Sequence, residues 1–280
     1  MLTALSVKMA ERPAGIKGIA HKLKRDKIQI NVLESRGVAL KHVTYISYSG
    51  QVKLDKTDKI IGSQRSRLLC SDKLIFPHHS GYKRFSSPSF SARLCTNTAL
   101  SILQGLENRE ALRLGIADRR GRHTDFMLSV LKLCADVTVL TSNLGAYRDA
   151  LDTALTEMGA TAAVTQNQSD LSDCDFIIIP EKIYEPMTFN GEPLVLGVEK
   201  EGVNSPNYFY SYKIKVPNGF AELKPEELDG EYFCSALYTL AAQYELGGIV
   251  PVRIEGEGKT RTVETLRAYL AKLLDNHSQK

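Results

Sequence analysis

At 280 residues the chain is too long for one small hydrophobic core and suits two modest domains, or one large α/β domain with an appendage. With 43% hydrophobic, 24% charged and 8% aromatic residues, it fits neither a disordered nor a collagen-like class, and no apolar run approaches the roughly 20 residues of a membrane-spanning helix. The net charge of +4 hides a strong asymmetry: residues 1–100 carry 18 Lys and Arg against 6 Asp and Glu, a net of +12, whereas residues 101–280 carry 18 against 26, a net of −8.

That asymmetry predicts a boundary near residue 100 and admits three explanations: a nucleic-acid surface, a pocket for an acidic ligand, or complementary faces that dock within or between chains. The opening residues lack a charged leader followed by a long apolar block, so no secretory signal is expected and the cytoplasm is the expected compartment. Five dispersed cysteines, Cys70, Cys95, Cys134, Cys174 and Cys234, form no C-x-x-C pair and have no neighbouring histidine. They read as buried thiols in a reducing compartment, and no metal site is expected.

In chain order, residues 1–27 show little pattern. Pro13, Gly15 and Gly18 break any early helix, and Lys22, Lys24, Arg25 and Lys27 cluster, so a peripheral arm is expected. Ile28, Ile30 and Val32 then alternate with Gln29 and Asn31, Gly37 supplies a turn, and Val43, Tyr45 and Ser47 alternate with their neighbours. This predicts a small, mainly antiparallel sheet. His78, His79, Lys83, Arg84 and Arg93 form a cationic, turn-rich stretch that could hold a phosphate. Adjacent histidines in a strand face opposite ways, which argues against a shared metal. Cys95, Ala99, Ile102, Leu103 and Leu106 fall on one helical face, predicting a helix that links the halves and ends an α+β domain over 1–110.

Residues 111–280 carry the strongest signal. LRLGIAD, an apolar helix, VTVLTS, a second amphipathic helix ending at Gly159, and DFIIIP read as strand, helix, strand, helix, strand. The strands are continuously apolar, so both faces are buried and the sheet is parallel. LVLGVE, YFYSYKIKVP and IVPVRIE extend the strand pattern, with Pro251 marking the last as an edge candidate. Helical faces recur at Phe233, Leu237, Leu240, Ala241 and Tyr244 before Gly247, and at Val263, Leu266, Leu270, Leu273 and Leu274. The expected fold is therefore α/β: a Rossmann-like doubly wound parallel sheet over 111–280 with a smaller, mainly β N-terminal domain.

In such sheets ligands sit outside the carboxyl ends of the strands. Those ends offer Asp118, Arg119, Arg120, Gly121, Arg122, His123 and Thr124 after the first strand, Thr141 and Ser142 after the second, and Glu181 after DFIIIP. Arginines at the start of a helix, with Thr124 as its expected cap, form a candidate anion site because the free N–H groups there already favour negative charge. Asp118 and Glu181 are candidate acids or bases and His123 a candidate proton shuttle, with no catalytic set defined by spacing. Gly256, Gly258, Lys259 and Thr260 spell part of a phosphate loop, but Arg253 stands where its first glycine belongs.

The order of elements over about 112–180 resembles the NAD(P)-binding Rossmann superfamily, carried by VTVLTSNLGAYRDALDTALTEMGA and SDCDFIIIP as a second strand, helix and third strand. The resemblance implies a dinucleotide, with its pyrophosphate on the first turn. The chain departs from that pattern in two places. ADRRGRHTD retains only Gly121 of the glycine fingerprint, and Thr141 and Ser142 stand where a ribose-binding acid is usual. That disfavours NAD, while Arg148 would suit the 2′-phosphate of NADP. The functional expectation is a protein that binds a nucleotide or phosphorylated small molecule, with an NAD(P)-linked enzyme as its sharpest form. The alternatives are a nucleic-acid binder using the basic N-terminal half and a noncatalytic Rossmann-like scaffold, in either case with homo-oligomers allowed and no membrane partner.

Overall fold

The computed structural model describes residues 1–11, 24–241 and 249–278. In chain order the strands are β1 (Leu2–Met9), β2 (Lys27–Ser35), β3 (Val38–Ser47), β4 (Arg113–Ala117), β5 (Asp136–Leu140), β6 (Ala163–Thr165), β7 (Phe176–Ile178), β8 (Met187–Thr188), β9 (Leu194–Leu196), β10 (Val203–Asn204), β11 (Tyr208–Phe209), β12 (Ser211–Lys213), β13 (Arg253–Gly256) and β14 (Lys259–Arg261). The helices are α1 (Asp55–Ile61), α2 (Pro88–Gln104), α3 (Thr124–Leu131), α4 (Leu144–Met158), α5 (Gly230–Leu240) and α6 (Val263–Ser278). Two units share this chain: residues 1–87 with 215–245, and residues 88–214 with 246–280. They interleave, so no single cut such as one at residue 110 separates them.

In the first unit a three-stranded sheet has the order β1-β3-β2, with β2 antiparallel and β1 parallel to β3. The turn between β2 and β3 needs positive φ at both central residues, and Arg36 (φ 47°) with Gly37 (φ 75°) supplies it. The sheet is thus mixed, because the opening residues expected as a peripheral arm form β1. Leu2, Thr3, Ala4, Leu5 and Ser6 are all buried. A strand packed on both faces loses the alternation that would have revealed it. Leu2, Ala4, Val38 and Leu40 pack with Phe233, Ala236 and Leu237 of α5, while Leu5, Val43 and Tyr45 pack with Ile61, Leu68 and Tyr82. Pro13, Gly15, Gly18 and Lys22 lie outside the described residues, as do Tyr244 and Gly247.

A carboxylate ties this unit together. Asp26, whose side chain is 5% exposed, accepts hydrogen bonds from the Tyr45 hydroxyl (2.7 Å), the Tyr48 N–H (3.0 Å) and Lys56 Nζ (3.1 Å). The Tyr45 hydroxyl, then the other donors, hold its carboxyl far below the ordinary value of 3.8. The stabilisation is therefore present above that value and is lost as pH falls through the lower folded one. Asp26→Asn is expected to cost about 2 kcal/mol at pH 7, since charge-assisted bonds are lost, and its melting temperature should begin to approach that of the parent only as pH falls below about 4, the difference closing toward the much lower folded value. Nearby, Ser6 Oγ lies 2.5 Å and Glu227 Oε1 3.5 Å from His42, but both meet the same Nε2. A nucleophile relay needs one partner on each ring nitrogen, so this trio cannot act as one.

In the second unit a six-stranded, wholly parallel sheet runs β11-β9-β7-β4-β5-β6. Numbered by appearance within the sheet, that order is 3-2-1-4-5-6, the doubly wound arrangement. The fold is Rossmann-like. β7 (FII of DFIIIP) is the fourth strand of the set, not the third, because the short edge strand β6 comes between; its three residues are too few and too exposed to show a period. The helix expected to link the halves, α2, belongs to this unit and packs on α6.

YFYSYKIKVP divides into β11, in the main sheet, and β12, which joins a separate antiparallel sheet of order β12-β13-β14. β13 is the central strand there and begins at Arg253, after Pro251, so the proline marks no edge strand. The glycines of the phosphate-loop-like stretch make the β13–β14 hairpin: Gly256 pairs with Lys259 across Glu257 (φ 46°) and Gly258 (φ 72°). A hairpin turn does not lead into a helix N-terminus, and the Lys259 amine is spent on Pro206 O (2.7 Å) and Asn207 Oδ1 (3.3 Å). The charge asymmetry also shrinks. The first unit recruits the acidic 215–245 segment and holds 19 Lys and Arg against 12 Asp and Glu, a net of +7, leaving −3 on the second. Among the described residues, no helix is long and apolar enough to cross a membrane.

Candidate functional site

β4 and β7 are neighbours at the centre of the sheet, and the chain leaves them toward opposite edges, which opens a crevice at their carboxyl ends. A cleft of about 520 Å³ lies there, within the roughly 300–1,000 Å³ usual for small-molecule sites. One wall comes from α2 (Arg93, Thr96), another from the turn after β4 and the first residues of α3 (Arg120, Arg122, His123, Asp125), and a third from the ends of β7 and β9 (Glu181, Lys182, Glu199).

The turn is built on Asp118, which is fully buried. Its Oδ2 accepts from the His123 N–H (2.7 Å) and the Tyr147 hydroxyl (2.8 Å), whereas its Oδ1 is buried without a hydrogen-bond partner. Burial, then the charge of Asp118, pushes the Tyr147 phenol well above its ordinary range, so it stays a donor. The helical spacing marks Tyr147 as core and gives no sign of this second duty. His123, not Thr124, is the cap residue of α3, and its side chain makes no capping bond. The carboxylate of Asp118, reaching forward five residues, closes the turn in place of a threonine hydroxyl.

The turn is also tied sideways to the end of β5. Arg119 O accepts from the Ser142 N–H (3.0 Å) and Thr141 Oγ1 (3.4 Å), and Arg120 O accepts from Asn143 Nδ2 (3.2 Å). Gly121 has φ 68°, and a Cβ there would lie 2.7 Å from the Cβ of Ala146. One glycine of the fingerprint is thus kept for backbone shape and close packing on α4. Thr141 and Ser142 serve as struts and do not line the cleft. Arg148 is exposed on α4, also away from the cleft lining.

The arginines part company. Arg119 turns away and pairs with Glu185 (2.8 Å), with Gln168 Oε1 at 3.4 Å. Arg120 donates to the Tyr184 hydroxyl, its guanidinium carbon 5.3 Å from that ring's centre. Arg122 lines the cleft and joins Arg93 of α2 there; among the described residues neither guanidinium has an ion-pair or hydrogen-bond partner. Arg93 shares a cationic stretch of sequence with His78, His79, Lys83 and Arg84, and it is Arg93 that lines the cleft. Arg84 instead stacks 3.7 Å from the Tyr232 ring centre and donates to Cys70 O, and His78 and His79 are exposed in a turn.

Glu181 has the most unusual position. From the end of β7 it crosses to the turn after β4, where its carboxylate accepts the backbone N–H of Arg119 (2.5 Å) and lies close to that of Arg120. Half-burial, then the neighbouring Asp118 charge, raises its pKa against the lowering effect of those two donors. His123 is pushed the other way. Burial lowers its pKa, helped by Arg93 and Arg122 and opposed by Asp118, so it is a neutral imidazole at pH 7. Lys182 pairs with Glu199 at 3.4 Å across the far wall. Neither Lys182 nor Glu199 carried a sequence signal beyond lying near a strand end.

No family model matches the chain, and no curated protein matches it. Among solved structures, the L-tryptophan dehydrogenase of Nostoc punctiforme is similar over 85% of this chain and 77% of that one, at 12% identity and a TM-score of 0.27. Likeness that faint carries no argument about activity. The site itself speaks on the dinucleotide that Rossmann-like sheets commonly hold with its pyrophosphate on the first turn. The residues here do not fit it. A side-chain carboxylate occupies the Arg119 N–H of that turn, Asn143 ties the turn to the end of β5, and no acid stands at that end.

Proposed function

We propose that this protein binds a small anion, such as a phosphorylated small molecule or mononucleotide, in the cleft at the carboxyl ends of β4, β7 and β9. The observation that carries the reading is that two guanidinium groups without an ion-pair or hydrogen-bond partner among the described residues, Arg93 and Arg122, line one cleft beside the start of α3. Arginine forks match phosphate and carboxylate oxygens, and a helix start adds N–H donors of the same polarity. A neutral His123 contributes one donor and one acceptor to orient the ligand without adding charge.

A thermal-shift screen against phosphate, sulfate, sugar phosphates, ATP, NAD and NADP tests this. A ligand at about a hundredfold over its dissociation constant adds roughly 2.7 kcal/mol, or about 5–10 °C for a unit of this size. The Arg93→Ala/Arg122→Ala double variant is expected to lose that shift while its ligand-free melting temperature stays within about 2 °C of the parent, because neither side chain holds a structural contact. A double variant that still responds like the parent would refute the assignment.

A further inference from the structure

The carboxylate of Glu181 lies where a Rossmann-like sheet ordinarily receives a ligand's phosphate. Three observations bear on its role. It spans the crevice between the first and fourth strands of the doubly wound order, although a glutamate at a strand end has water available. It takes the N–H of Arg119 and lies close to that of Arg120, at the head of the turn after β4. And it does so beside Asp118, a fully buried carboxylate with one oxygen unpartnered, so the contact is held against like-charge repulsion and partial desolvation. An arrangement this costly is explained if the Arg119 N–H, with that of Arg120 beside it, would otherwise be left as an open anion cradle.

We infer that Glu181 is a built-in substitute for a ligand phosphate: it closes the first-turn cradle, shuts out pyrophosphate-bearing ligands, and confines binding to a small anion at Arg93 and Arg122. The closure of the turn stands independently of the proposed cleft function, and only the last clause rests on it. Glu181 is thereby a specificity-determining residue. Removing its side chain uncovers the Arg119 N–H, with the Arg120 backbone and the Arg120 and Arg122 side chains nearby, which suits the charge of a diphosphate group.

Inorganic pyrophosphate is the probe, titrated calorimetrically into the full-length parent, Glu181→Ala, and Glu181→Ala combined with Arg93→Ala and Arg122→Ala. Glu181→Ala is expected to bind it about ten-fold or more tighter than the parent, and the gain over the matched Arg93→Ala/Arg122→Ala background should persist in the triple variant. Glu199→Gln removes an equal charge from the cleft wall without touching the turn, and should gain less than about three-fold. No gain in Glu181→Ala, an equal gain in Glu199→Gln, or a gain that vanishes in the triple variant would each overturn the inference. The last outcome would leave the cleft reading intact, and loss of the parent's response in Arg93→Ala/Arg122→Ala alone tests that reading separately. Should Glu181→Ala fail to fold, Glu181→Gln keeps one acceptor for Arg119 while removing the charge. It is expected to bind pyrophosphate about three-fold or more tighter than the parent, and a Gln variant equal to the parent would count against the inference.

Discussion

Gly256→Ala is expected to destabilise the second unit by about 3 kcal/mol or more, the largest effect of a methyl group added at any of the described glycines. A Cβ at this position would stand 2.0 Å from the carbonyl oxygen of Tyr208 and 2.7 Å from the Cα of Phe209. Those are backbone atoms of β11, an edge strand of the six-stranded sheet, and they cannot step aside as a flexible side chain would. The close approach lets β13 lie against β11, where the Tyr210 N–H donates to Glu255 O at 3.1 Å. Gly258 is the internal control. It has φ 72° and nothing within 4 Å of an added Cβ, so Gly258→Ala meets only backbone strain of about 1–2 kcal/mol. Melting temperatures of the two variants decide the matter, and equal losses would show that β13 does not pack against β11 this closely.

Asp118→Ala is expected to be the second most damaging change, at about 3 kcal/mol, or roughly 6 °C or more in melting temperature. The carboxylate holds the Tyr147 hydroxyl and the His123 N–H, and a methyl group leaves both donors unpaired where burial is nearly complete. Asp118→Asn keeps one acceptor and places an amide at the unpartnered Oδ1 position or exchanges the two, so it should recover only part of the loss. The substitution also has a distinct signature at a distance: without the neighbouring charge, the raised pKa of Glu181 is expected to move down, readable by carbon NMR of that carboxyl. An unchanged Glu181 titration would mean that burial alone raises it.

The layout of the central sheet was legible in residues 112–180 because parallel strands buried on both faces leave continuous apolar runs, and the helices between them leave a 3.6-residue period. Length and periodicity brought out the segments that became β4, β5 and β7, with α3 and α4 between them. They did not bring out β1, whose burial on both faces mixes Thr3 and Ser6 with Leu2, Ala4 and Leu5, nor β6, whose three residues are too short to carry a period. The charge asymmetry was a true property of the sequence and a poor guide to the units, because residues 215–245 return to the first unit and bring their acids with them.

At the site, the chain order alone located the carboxyl-end turns and named Asp118, Arg122, His123 and Glu181 among their residues, since topology places those ends together whatever the side chains do. What each residue does there depended on contacts across large sequence distances. Arg119 and Arg122 are three positions apart and read alike, yet one is consumed by Glu185 and the other lines the cleft. Arg93 lies outside the motif altogether and enters only because α2 packs beside the crevice. Glu181 is 62 positions from the Arg119 N–H it occupies. Local sequence sets strand, helix and turn through periodicity and backbone preference. Which charge is paired, which is open, and which carboxylate crosses to a distant N–H is set by distances between segments that only the folded chain brings within hydrogen-bonding reach.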